Sequence, residues 1–210
     1  MQVTKRESLE QARKKFVGEI IDGKMTDKQR ERDIRISSIQ SKLNHAKYHL
    51  VNLLKHYDYD LFRLEEGQEI LRAEFSAFLF AISGSIDVIL HEVNILYGLN
   101  LNERNVKLKS VITELKRGNF CGILHELSSL QGFSWYKSLN GMRNKTTHNP
   151  TMIWTFYIGG DKSGKITIPE NPFDINSPSK SELNQYCKDL LLNTESFIDN
   201  TQDVIIYELP

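Results

Sequence analysis

The sequence predicts an all-α fold, an up-and-down helical bundle with one small β-hairpin inserted before the last helix. Ile36, Ile39, Leu43, Ala46, Leu50, Leu53 and Tyr57 alternate in steps of three and four, the seam of a bundle. The charge-free stretch 75–86 is apolar nearly all round, as the central helix of a bundle must be. Only after Pro150 does the apolar period shorten from that of a helix to that of a strand. A chain of 210 residues, 40% hydrophobic and with ten Phe and two Trp, suffices for one real core.

Taken in order, residues 1–25 read as an amphipathic N-terminal helix with a sparse stripe of Leu9, Phe16 and Ile20, and 26–210 as the main domain. The seam lies on a helix over about 26–57. The next helix, about 68–97, is interrupted by Asp87, His91 and Glu92 before it reaches the ~20 apolar residues of a membrane span. It is expected in the core of a bundle, with no membrane partner. Asn102 reads as the N-cap of a helix running to Arg117, with Gly118 ending it. A short helix over 122–130 stops at Gly132, and Ser134 reads as the cap of a helix that turns Trp135, Leu139 and Met142 inward. Alternating segments at 153–158 and 165–168 place the hairpin at about 151–168. The segment 179–182 has the form of a capping box opening a last helix, with Leu183, Tyr186, Leu190, Phe197 and Val204 facing inward.

Charge excludes a global field for nucleic acid or membrane, since 27 basic residues balance 27 acidic ones. Locally the balance fails. No acidic residue stands between Glu126 and Asp161, while Lys137, Arg143, Lys145 and His148 fall inside that gap. The two cysteines, Cys121 and Cys187, form no disulfide framework and read as small core residues in a reducing cytoplasm. The charged start lacks the apolar core of a signal peptide. Residues 159–166 approach a phosphate-binding P-loop, but Ile166 stands where a magnesium-binding hydroxyl is needed, and a strand pattern follows instead of a helix. His45, His49 and His56 lie on one flank of their helix with no local carboxylate or cysteine to complete a metal site, so a solvated or interface face is expected. No metal or cofactor is expected.

The stretch 142–150 carries the candidate chemistry. Arg143 keeps its charge at any working pH and can grip a phosphate with two parallel donors. His148 can give and take a proton near neutrality. On a regular helix the two are about 140° apart, so they converge only if the helix loosens after Arg143, or if a second copy brings the partners together. Pro150 offers the first route by pushing Asn149 out of the helical region. Asn140, Asn144 and His148 recur every fourth residue, which lets Asn144 orient the imidazole. A plainer reading of Arg143 and His148 is a helix C-terminus trimmed with cations that suit its dipole. Ser83, Asp87 and His91 align along the apolar helix, either as a polar cluster satisfied inside the bundle or as the lining of a site.

Arg143 to His148 resembles the R-x4-H signature of the HEPN superfamily, including the polar residue just after the arginine. The helical pattern and the motif's place before a final helix extend the resemblance over roughly 73–150 and the last helix. The hairpin and the long N-terminal helices depart from the general pattern. The resemblance implies a metal-independent endoribonuclease, usually a homodimer with both motifs meeting in a cleft at the two-fold axis. It implies a cytoplasmic toxin or effector in toxin–antitoxin or antiviral defence systems, restrained by an antitoxin or regulatory protein. Many relatives are inactive RNA-, nucleotide- or protein-binding modules, the alternative for this chain; a helical assembly protein without a site is the third reading. The expected roles are catalysis by Arg143 and His148 with Asn144 in support, and RNA binding by Lys145, Lys137, Asn140, Asp87 and His91. RNA can cleave itself once its 2′-hydroxyl is deprotonated and aligned, which needs a proton carrier and a cation at the phosphate.

Overall fold

The computed structural model describes residues 27–56, 62–148, 155–156, 164–169 and 180–208; for 27–29, 145–148, 155–156, 169 and 180 it describes the backbone. The expected N-terminal helix over 1–25 lies outside the described residues. The chain divides into two compact units, Met1–Ser37 and Ser38–Pro210. In the first, residues 27–37 are helical, and Glu31 lies 3.8 Å from Arg35 one turn on.

The second unit is a helical bundle. Helix α1 (Asp27–Lys55) supplies it with Ile39, Leu43, Ala46, Leu50 and Leu53, all buried, so the three-four seam faces the core. Helix α2 (Glu65–Leu96) runs through the centre, with Phe75, Phe78, Leu79, Ile82 and Ile89 fully buried. By length and composition α2 would also suffice to cross a membrane; here half of its most apolar window is buried in the bundle. Helices α3 (Leu108–Gly118), α5 (Ser134–His148) and α6 (Leu183–Glu208) pack on it, and α4 (Cys121–Gly132) bridges α3, α5 and α6. His49 Nδ1 lies 2.7 Å from Glu74 Oε2 of α2, so on the flank expected to be solvated or at an interface this histidine is half-buried and paired across helices. Its carboxylate partner could not be read from the sequence around His49.

Several local expectations change for identifiable reasons. Asn102 does cap, accepting from the Arg104 N–H at 3.1 Å, but the turn it opens is a 3-10 turn, Glu103–Asn105, and α3 starts only at Leu108. Ser134 is the first residue of α5 and not its cap. The capping box dissolves because Lys180–Glu182 forms a strand, β3, whose backbone pairs with β2 (Ile166–Pro169). With β1 (Thr155–Phe156) these make a three-stranded antiparallel sheet in the order β1-β2-β3, so the hairpin gains a third strand just before α6. Ile166 begins β2, as the rejection of a phosphate loop required. Cys187 is buried, and its thiol is pushed well up by burial, but Cys121 is exposed and not a core residue.

One polar contact closes the bundle. Helix α4 begins after Phe120 with no side-chain cap of its own. Glu208, at the end of α6, takes that place: it accepts from the Gly122 N–H at 2.7 Å and the Ile123 N–H at 3.4 Å. The Tyr97 hydroxyl donates to the same carboxylate at 2.7 Å, and burial together with that bond pushes the phenol pKa up. Glycine at position 122 leaves room for this contact: a Cβ there would lie 2.2 Å from Glu208 Oε1 and push the carboxylate off the N–H groups. Replacing Glu208 with Ala removes a cap and strands buried donors, so urea unfolding should show a loss of about 1–3 kcal/mol. Gly122→Ala should destabilise by the same route, and wild-type midpoints for both variants would refute the role.

Candidate functional site

Helix α5 is anchored by Leu139 and Met142, both fully buried. The next residue, Arg143, turns toward α2. Its Nη1 donates to Ser83 Oγ at 2.5 Å and lies 3.9 Å from Asp87 Oδ2. Ser83 is buried, Arg143 is half-buried, and the Asp87 side chain is 58% exposed. The structure therefore joins Ser83 and Asp87 to Arg143. His91 follows one turn after Asp87 on α2 and acts on the same carboxylate electrostatically.

Desolvation pushes Asp87 above the usual carboxylate range, while Arg143, then His91, then Lys42 pull it down. Because more than half of the side chain reaches solvent, that desolvation is mild. Lys42 comes from α1, and its side chain lies flat over Gly84; a Cβ there would meet it at 2.9 Å. On α5, Tyr136 bonds Asn140 and stands within electrostatic reach of Asp87 and Arg143; burial pushes its hydroxyl up, and the Asn140 bond opposes this. Tyr136, Asn140 and Arg143 follow helical spacing on one face.

The other candidates are placed differently. Lys137 is exposed, about 120° around α5 from Arg143, and does not join the cluster. Asn144 is exposed, about 100° from Arg143. The side chains of Lys145 and His148 lie outside the described residues, but the backbone of α5 stays helical through His148. Loosening after Arg143, one of the two routes by which arginine and histidine could converge, is therefore absent. Positions 143 and 148 remain about 140° apart on the helix. The sequence alone singles out neither Tyr136 nor Lys42. Tyr136 was detectable by its spacing from Asn140 and Arg143; Lys42 gave no signal beyond the glycine opposite it. Among the described residues no three His, Cys, Asp or Glu side chains gather as a metal site.

Comparison with protein-family models matches residues 75–202 to the Cthe2314-like HEPN family, more than half of the chain. The chain belongs to the HEPN superfamily. The HEPN match starts within α2 and ends within α6, and points to a module of the nuclease or RNA-binding type. It contains Ser83, Asp87, His91, Tyr136, Asn140 and Arg143, and leaves Lys42 outside. Searches of curated proteins and of solved structures gave no match.

The cluster yields a titration test. Asp87 should titrate above the usual carboxylate value of about 3.9. Arg143→Met should move it further up, because the largest downward pull is gone. Folding then holds the Asp87 proton more tightly than the unfolded chain does. This carboxyl therefore favours the fold below the unfolded pKa, and that advantage disappears as pH rises through the folded pKa. Carboxyl NMR on the two proteins measures both values, and an unchanged Asp87 in the variant would contradict the contact.

Proposed function

We propose that this HEPN protein is a metal-independent endoribonuclease that cleaves single-stranded RNA with Arg143 and His148. The observation that carries the reading is the seating of Arg143: a buried serine and a carboxylate fix its guanidinium at an open face of the bundle. Such a cation can meet the non-bridging oxygens of a phosphodiester and stabilise the charge that grows there. The RNA 2′-oxygen attacks phosphorus, the bond to the 5′-oxygen breaks, and a 2′,3′-cyclic phosphate and a 5′-hydroxyl result. His148 moves a proton in this step, taking it from the 2′-hydroxyl or giving it to the leaving oxygen. Asn144 supports the imidazole, and Lys145, Lys137 and Asn140 contact RNA nearby.

The regular helix through His148 directs the proposal to a homodimer, in which Arg143 of one protomer works with His148 of the partner subunit. The biological setting proposed is a cytoplasmic toxin or antiviral defence effector held in check by an antitoxin or regulatory protein. One observation favours a second reading, an inactive module that binds RNA, nucleotide or protein: Asp87 already stands against the Arg143 charge.

The assay is cleavage of single-stranded RNA in excess EDTA, with product ends examined for the cyclic phosphate. His148→Ala should lose about 10²–10⁴ in rate and still bind RNA. Arg143→Ala should lose both binding and cleavage. A wild-type protein that cuts only with added magnesium, or a His148→Ala variant of normal rate, contradicts the mechanism. Binding without any cleavage supports the second reading.

A further inference from the structure

Glycine in the middle of a helix is less favourable than alanine, so Gly84 at the centre of α2 calls for a reason. Its neighbour from α1 supplies one. Lys42 Cδ, Cε and Nζ all lie 2.9–3.1 Å from where a Cβ on Gly84 would stand, so the whole end of the side chain rests in the notch left by the missing methyl. Around α2, position 87 falls between positions 83 and 84, about 40° from the first and 60° from the second. Arg143 meets Ser83 and Lys42 lies over Gly84, so the two cations approach Asp87 from opposite sides. Lys42 makes no hydrogen bond or ion pair among the described residues. Two positive side chains, Arg143 and Lys42, thus flank one carboxylate that is more than half exposed.

We propose that Lys42, seated by Gly84, is a phosphate-binding residue of this site, and that with Arg143 it holds the backbone of single-stranded RNA. The proposal rests on the RNA reading above and adds a residue that the family match does not reach. In the free protein Asp87 stands within electrostatic reach of both cations and pairs with Arg143. A bound phosphate takes both as partners. Lysine suits the task as a point charge on a long stem, contacting phosphate without reading sequence.

The test is binding of a fluorescent 2′-O-methyl oligoribonucleotide, which cannot be cut, to the intact chain in EDTA across a series of potassium chloride concentrations. Lys42→Met keeps the stem and removes the charge. Affinity should fall roughly tenfold, and the slope of log affinity against log salt should shrink by about 0.7. Lys42→Arg should retain most of both. A DNA oligonucleotide of the same sequence should lose affinity by the same factor, because the contact is to phosphate. Gly84→Ala should reproduce part of the loss while favouring the helix, so misfolding cannot explain it. If the wild-type chain binds neither oligonucleotide, the RNA reading falls and this proposal with it. If it binds and Lys42→Met matches it in affinity and slope, Lys42 is not a phosphate ligand and the RNA reading stands. Loss on RNA alone, or Gly84→Ala binding like the wild type, overturns the phosphate contact or its seat respectively.

Discussion

The burial of α2 is the constraint on which the rest of the molecule depends. A helix whose central stretch, 75–86, is apolar nearly all round and carries no charge can exist in water only if other elements cover most of its circumference. Helices α3, α5 and α6 and the Ser38–Lys55 part of α1 provide that cover, and each does so with residues that are themselves buried. Coverage is incomplete along one strip, where Phe80 and Asp87 reach solvent and His91 is half-buried. A carboxylate on such a helix must be solvated or paired, and Asp87 is both. The same packing that buries α2 brings Arg143 to one border of the strip and Lys42 to the other. The polar cluster is thus a product of how the core closes, with no loop needed to assemble it.

Long-range polar contacts then decide how firmly the bundle holds. The Glu208 carboxylate ties the end of α6 to the start of α4 and to Tyr97 at the end of α2, three elements far apart in sequence. The Lys47–Glu195 pair at 2.6 Å joins α1 to α6, but both side chains are substantially exposed and the pair contributes little. Burial and the Glu208 cap therefore matter more to the fold than the surface ion pairs do.

Elements that owe their structure to their own pattern were legible. The seam of α1, the apolar run of α2 and the inward Leu139 and Met142 of α5 can be read because a buried face leaves a period in the sequence. What failed to show depends on a partner distant in the chain. Strand β3 exists because β2 pairs with it, and nothing in the capping-box pattern that ends at Glu182 reveals that partner. Glu208 accepts from the N–H of Gly122, 86 residues earlier, and Glu74 answers a histidine 25 residues earlier. At the site, the spacing of Ser83, Asp87 and His91 and the motif at Arg143 could each be seen separately, but their meeting could not. Lys42 was the least visible, because its only signature is a glycine on another helix.

In the mechanism proposed, Arg143 and His148 act together across two chains, since α5 holds them on different sides of one helix. Complementation tests this most directly. On the proposed mechanism Arg143→Ala and His148→Ala chains should each be inactive, while in a mixed dimer one of the two composite sites would regain both residues. After unfolding together and refolding at equal ratio, the mixture should recover about a quarter of wild-type RNA cleavage in EDTA, as half of the dimers are mixed and each has one intact site. A mixture no more active than either variant alone, with mixed dimers confirmed by mass, would contradict the account.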